Sequence, residues 1–161
     1  YYRLPLGQPE IRRAGQDVTI LTIGPSLYPA LDAAETLAQD YNIAAEVIDA
    51  RCLVPFNYAP VVASISKTGR VLIVSEACER GGFAMTLAAN LTRVAFDHLK
   101  AAPRVLGAPN WIVPGADMES TYFPGPAEII DAVTQELRPD IGGLRRGVRD
   151  WDDMDLARRG L

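Results

Sequence analysis

Asp17-Val18-Thr19-Ile20-Leu21-Thr22-Ile23-Gly24-Pro25-Ser26 is the stretch on which the fold turns. Val18 to Ile23 is a nearly continuous β-rich run, and a run without polar alternation reads as a strand buried on both faces. Gly24-Pro25 ends it. Ser26 is placed to cap the helix that follows, and Pro29 falls in the first turn, where a missing N–H does no harm. Leu27, Ala30, Leu31, Ala34, Leu37, Ala38 and Tyr41 then recur at three- and four-residue spacing and form one apolar face.

The same alternation continues outward from this unit. Ala45 to Asp49 reads as the next strand. Asn57 can cap a short helix with Tyr58, Val61, Val62 and Ile65 inward, stopping near Gly69. Val71-Leu72-Ile73-Val74 is a third buried strand, and Gly81-Gly82 leads into a long helix with Ala84, Leu87, Ala88, Leu91, Val94, Ala95 and His98 on one face. Arg104-Val105-Leu106 is a short strand; a loop rich in Pro and Gly follows, then a helix from Pro126 with Ile129, Ile130, Val133 and Leu137 inward. Strands and helices alternating through short connections predict a parallel, doubly wound α/β sheet with helices on both faces. On the other side of Asp17, Gln8 to Arg13 is a candidate edge strand, open to an antiparallel direction. No repeat or low-complexity tract interrupts the series.

After Pro139 the character changes. Gly142-Gly143 is followed by Leu144 to Leu161, with five Arg, four Asp and a weak helical apolar spacing at Leu144, Val148 and Trp151. This gives a packed domain over 1–138 and a carboxy-terminal extension, 139–161, expected to be a surface arm.

Composition narrows the function. At 161 residues the chain suits one well-packed domain. An apolar share of 48%, a charged share of 22% and a net charge of −4 describe an ordinary folded protein, with none of the basic stripe of a nucleic-acid reader. No apolar run approaches the roughly 20 residues needed to span a bilayer, and no signal-peptide pattern is present. Cys52 and Cys78 read as reduced, unbridged thiols of a cytoplasmic protein. The opening Tyr1-Tyr2-Arg3, without methionine, reads as a piece of a longer protein.

Chemistry in open α/β sheets gathers beyond the carboxyl ends of the strands. Gly24-Pro25-Ser26 could present N–H groups to an anion, but one glycine and no partner Lys make it a plain helix start. Cys52, beside Arg51 with no His near in sequence, reads as a small structural residue. The strongest local signal is Ser75-Glu76-Ala77-Cys78-Glu79-Arg80-Gly81-Gly82-Phe83. Two glycines at a helix start permit close backbone approach. Glu76 and Glu79 repel phosphate, and the spacing is neither the dinucleotide fingerprint nor the P-loop. Glu76, Gly81, Gly82 and Phe83 are therefore candidates for a subunit contact, with tight helix–sheet packing as the alternative. His98, the only histidine, is expected to be a partly buried structural side chain. No catalytic, cofactor-binding or metal-binding residue is assigned.

As an ordered set these segments resemble a known family. Asp17 to Gly24 followed by Ala30-Leu31-Asp32-Ala33-Ala34, then Val47-Ile48-Asp49-Ala50-Arg51-Cys52-Leu53-Val54-Pro55-Phe56 and Lys67-Thr68-Gly69-Arg70, resemble the transketolase carboxy-terminal domain. That domain is shared by transketolases, deoxyxylulose phosphate synthases and the beta subunits of 2-oxo acid dehydrogenases. Ser75-Glu76-Ala77 with Gly81-Gly82-Phe83, then Ala95-Phe96-Asp97-His98-Leu99, and the stretch from Pro109 through Tyr122-Phe123-Pro124 to Pro126–Val133 are more similar to the beta subunits. The similarity covers about residues 1 to 138. The family's Pro-x-Pro-Tyr pattern is replaced here by Trp111-Ile112-Val113-Pro114-Gly115-Ala116.

The resemblance implies a three-layer α/β/α domain whose mostly parallel five-stranded sheet has an antiparallel first strand. It implies a subunit-assembly role in a pyruvate, branched-chain or acetoin dehydrogenase type of oxidoreductase, with this fragment inactive alone. Thiamine diphosphate and magnesium would belong to the whole enzyme, between other domains. The partners implied are an alpha subunit, a second beta subunit and the peripheral subunit-binding domain of an acyltransferase core. Two other readings stay open: the same domain in a transketolase or deoxyxylulose phosphate synthase-like enzyme, and a stand-alone anion-binding module at Gly81-Gly82.

Overall fold

In a computed structural model, which describes residues 3–140, five strands form one sheet in the order β1-β3-β2-β4-β5. The strands are β1 (Glu10–Arg13), β2 (Val18–Ile23), β3 (Ala45–Asp49), β4 (Val71–Cys78) and β5 (Arg104–Ala108). The helices are α1 (Leu27–Tyr41), α2 (Ala59–Thr68), α3 (Phe83–Ala95), α4 (Glu119–Tyr122) and α5 (Pro126–Asp131). All neighbours run parallel except β1, which pairs antiparallel with β3 through Glu10 opposite Asp49 and Ile11 opposite Ile48. The sheet is the expected one, antiparallel edge included.

The uninterrupted apolar character of β2 has the anticipated cause: its alternate residues face two separate cores. Val18 and Ile20 join Ala30, Ala34 and Leu37 of α1, Ile129 of α5 and the following Val133 and Leu137 on one side. Leu21 joins Val61 and Ile65 of α2 and Leu87 and Leu91 of α3 on the other. Helices therefore cover both faces, which makes three layers. Crossovers through α1 and α2 send the chain from β2 outward to β3 and then back across to β4, so the strand order reverses at β2 and β4.

Several local details differ from expectation. Beyond Asp131 the last helix widens into a π-type turn over Ala132–Leu137, with the Arg138 N–H donating to the Val133 carbonyl. β4 continues four residues past Val74 to Cys78, because its end bulges over β5: Val74 faces Leu106 while Cys78 faces Ala108. Gly107 makes this possible, since a Cβ there would lie 2.6 Å from the Ala77 carbonyl oxygen.

Ser26 does not cap α1. Its hydroxyl is buried, accepts from the Ile23 N–H and lies 2.9 Å from the Val74 carbonyl, tying the end of β2 to β4. His98 is exposed rather than partly buried, because α3 ends at Ala95 and a 3-10 turn, Phe96–His98, breaks the helical spacing that would have carried it inward. Val94 is likewise exposed. The 139–161 arm lies, apart from Pro139 and Asp140, outside the described residues.

Candidate interaction site at the carboxyl end of the sheet

The reversal of strand order at β2 and β4 opens the sheet's carboxyl end as the place for a ligand or partner. Most of the exposed large apolar side chains lie there. Tyr28 follows β2, Val54 follows β3, Met85 follows β4, and Trp111, Ile112, Val113 and Met118 follow β5. Single exposed apolar residues are ordinary, whereas their concentration at one end of a domain makes that end the candidate interaction surface.

At this end the candidate contact segment resolves into two kinds of residue. Gly81 is in the left-handed region at φ +74°, with open space where a Cβ would be. Gly82 is the N-cap of α3 in ordinary extended geometry at φ −72°, and a Cβ there would run into the Cys78 carbonyl oxygen of the same turn. The glycine requirement at 82 thus arises from internal packing, the alternative left open above. Phe83 is half-buried and packs on the α2–α3 core. Glu76 is half-buried on the bulged end of β4, beside exposed Ala77. Of the four candidates, then, Gly81 is exposed, and Glu76, Gly82 and Phe83 are half-buried.

The Gly24-Pro25-Ser26 turn has its serine hydroxyl spent within the fold, as described. Cys52 and Cys78 are free thiols; the Cys52 thiol lies 3.5 Å from the Val54 carbonyl, and that of Cys78 lies 3.5 Å from the Pro109 carbonyl. Among the described residues no group of three or more His, Cys, Asp or Glu side chains is placed to hold a metal ion. No helix among them is long and apolar enough to cross a membrane.

Two features escaped the sequence reading. The first is a pocket of about 480 Å³ beside the end of β5, lined by Leu106, Pro109, Trp111, Ile112, Met118 and Tyr122 among others. Tyr122 builds it: its hydroxyl reaches the carbonyls of Pro109 (3.1 Å) and Trp111 (3.0 Å), pinning the loop after β5 over α4. Burial, together with the neighbouring Cys78 thiol, pushes the Tyr122 phenol above its ordinary value, so it remains a donor. The departure from the Pro-x-Pro-Tyr pattern at 111–116 was the sequence sign of an unusual loop.

The second is a buried polar cluster at the opposite end. Glu46, 2% exposed within β3, accepts from the Gly15 N–H and from Lys67 Nζ. The Thr19 hydroxyl lies 2.7 Å from that of Ser64 and 2.8 Å from that of Thr68. Burial works to raise the Glu46 carboxyl, but the bonds from Lys67, Ser64 and Gly15 outweigh it and hold the group below its ordinary value. A carboxylate inside an otherwise apolar strand, Ala45-Glu46-Val47-Ile48, was the available signal.

The fold places the molecule among open, doubly wound α/β domains, with exposed apolar side chains gathered at the carboxyl end of the sheet. Comparison makes that narrower. The model for the transketolase C-terminal domain matches residues 7–129, and the chain belongs to that family. Curated relatives include the beta subunit of acetoin:2,6-dichlorophenolindophenol oxidoreductase from Cupriavidus necator, 36% identical over 85% of this chain and 40% of the relative. The pyruvate dehydrogenase E1 component beta subunit of Bacillus subtilis is 32% identical over 84% of the chain and 42% of the relative. The 2-oxoisovalerate dehydrogenase beta subunit of Pseudomonas aeruginosa is 40% identical over 80% and 35%. Among solved structures, a split-gene transketolase described as an inactive beta4 tetramer superposes with a TM-score of 0.72 at 25% identity, covering 90% of this chain and 45% of that one. The chain thus spans roughly two-fifths of the length of the curated relatives it matches.

Proposed function

We propose that this chain is the subunit-assembly domain of the beta subunit of a thiamine-diphosphate-dependent 2-oxo acid dehydrogenase. The observation that carries the reading is the consistency of its relatives. Beta subunits of acetoin, pyruvate and branched-chain oxo acid enzymes match it at 32–40% identity over most of its length, whereas the transketolase neighbour is 25% identical. The whole enzyme would oxidatively decarboxylate a 2-oxo acid and pass the acyl group to a lipoyl carrier, in the cytoplasm. Its thiamine diphosphate and magnesium would, in this reading, be held outside this domain. No step of the reaction is therefore assigned to a side chain of this chain.

Its partners in this reading are the alpha subunit, a second beta subunit and the peripheral subunit-binding domain of an acyltransferase core. We place one subunit contact at Glu76 and Gly81, where the backbone is open and the neighbouring surface apolar. Phe83 and Gly82 support that contact from within by fixing the start of α3. The test is the complete polypeptide, combined with its alpha chain, thiamine diphosphate and magnesium. It should reduce 2,6-dichlorophenolindophenol in the presence of a 2-oxo acid. Ketol transfer between sugar phosphates without an alpha chain would instead identify a transketolase-like enzyme. The 161-residue chain alone should bind no thiamine diphosphate, and stoichiometric binding in calorimetry would count against the assembly reading.

A further inference from the structure

The apolar rim at the carboxyl end of the sheet has a second part, at the edge opposite β5, where β1 flanks β3. There the segment leading into β1 lies over the loop that leaves β3. The Asn57 N–H donates to the Gly7 carbonyl (2.8 Å), and Asn57 Nδ2 donates to Gln8 Oε1 (3.0 Å). Gly7 is buried at φ +76°, and a Cβ there would lie 3.0 Å from the Pro55 carbonyl oxygen, so the two segments meet backbone to backbone. These ties bring the Leu4–Leu6 stretch beside Val54-Pro55, yet Leu4, Leu6 and Val54 are 56%, 81% and 79% exposed. Residues 4–9 and 52–60 contain no Asp, Glu, Lys or Arg. Glu10 and Arg51, which follow the first segment and precede the second, pair with each other. The surface between them is apolar and offers a partner no charge to match, so its occupant should be apolar too.

Connectivity decides among apolar occupants. The family model describes a C-terminal domain, and the beta-subunit relatives are roughly twice the length of this chain. A C-terminal domain within so long a polypeptide has the rest of it attached at its amino end. In this fold that attachment falls within a few residues of Leu4 and Leu6. A tether so short holds the preceding part at an effective concentration on the order of millimolar, so a modest apolar contact suffices to seat it. We propose that the face formed by Leu4, Leu6 and Val54 is the seat of the preceding domain of the same polypeptide. Resting on the assembly reading above, this divides the carboxyl end of the sheet between two uses. Its β1–β3 side is closed within the chain, and its β4–β5 side, with Glu76 and Gly81, is left for other subunits.

Hydrogen–deuterium exchange in the 161-residue chain and in the complete polypeptide, each without an alpha chain, tests this. Exchange across 4–8 and 52–58 should be slower by about tenfold or more in the complete polypeptide. The protection should persist over roughly a hundredfold dilution, as a contact within one chain does. Leu6→Asp and Val54→Asp act on side chains already in water, so the urea midpoint of the 161-residue chain should not move. In the complete polypeptide the same variants should restore fast exchange at both segments. Equal exchange in the two wild-type proteins would overturn the proposal. So would protection that appears only when the alpha chain is added, or that fades on dilution, which would give the face to another subunit or to a second copy. A lowered urea midpoint in the 161-residue variants would overturn it as well, by assigning both side chains to the domain's own packing. The enzyme assay above is read separately. A 2-oxo acid dehydrogenase with both segments unprotected would sink this inference alone, and a ketol-transferring enzyme with both protected would sink the dehydrogenase reading alone.

Discussion

Glu46 contributes stability because its charge is already compensated where it is buried. The Gly15 N–H, Lys67 and Ser64 hold its folded-state pKa below the ordinary 4.5. A carboxylate with a depressed folded-state pKa adds stability that is present above the unfolded value and lost as pH falls through the folded one. The thermal midpoint of the wild-type chain should therefore fall between about pH 5 and pH 3 more steeply than that of Glu46→Gln, which has no proton to take up there. Parallel pH profiles for the two proteins would remove Glu46 from the account. Lys67→Met should cost about 1–3 kcal/mol at neutral pH, less than breaking a fully buried pair, because the Lys67 side chain is 44% exposed. The two glycines at 81 and 82 separate by the same kind of reasoning. Gly82→Ala forces its methyl against the Cys78 carbonyl and should destabilise the fold by roughly 1–3 kcal/mol, read in urea unfolding. Gly81→Asn puts its side chain into open space in a left-handed conformation that Asn tolerates, so it should cost less than about 1 kcal/mol while weakening association of the complete polypeptide. Equal losses of stability in the two variants would mean that both glycines serve internal packing.

At the scale of elements, how legible the chain was depended on which force fixed each boundary. β2, β3 and the inner faces of α1 and of the last helix follow from apolar periodicity, because burial on both sheet faces determines them. The end of β4 does not. Ser75 to Cys78 joins the strand through a bulge accommodated by Gly107, a tertiary approach with no local periodicity. The end of α3 misled the reading for a related reason: Ala95-Phe96-Asp97-His98 keeps helical spacing in sequence, but the 3-10 turn rotates Phe96 and His98 outward. Of the two candidate glycines, only Gly82 makes a close approach, and that it is made to the domain's own backbone depended on the Cys78 carbonyl, which no local sequence pattern places there. The pocket was least legible, since it depends on one long-range side chain. Tyr122→Phe removes the hydroxyl bonds to Pro109 and Trp111 and should destabilise the chain by about 1–2 kcal/mol, with faster hydrogen exchange confined to 109–113. Unaltered exchange there would mean that packing, not the hydroxyl, holds the loop.

For the whole molecule, one physical contrast organises the account. The interior is complete, with two apolar cores on either side of a sheet whose buried carboxylate is compensated. The carboxyl end, by contrast, leaves a ring of apolar side chains from Tyr28 round to Met118 facing outward. A domain finished inside and unfinished at one end fits a part that joins other parts, and the beta-subunit relatives, roughly twice its length, supply the setting. The most direct test is sedimentation velocity of the complete polypeptide mixed with its alpha chain, with and without the segment corresponding to residues 7–137. The account predicts a heteromeric complex for the complete polypeptide and separately sedimenting chains once the segment is deleted. A complex of undiminished stoichiometry and stability after the deletion would contradict the claim that this domain builds the assembly.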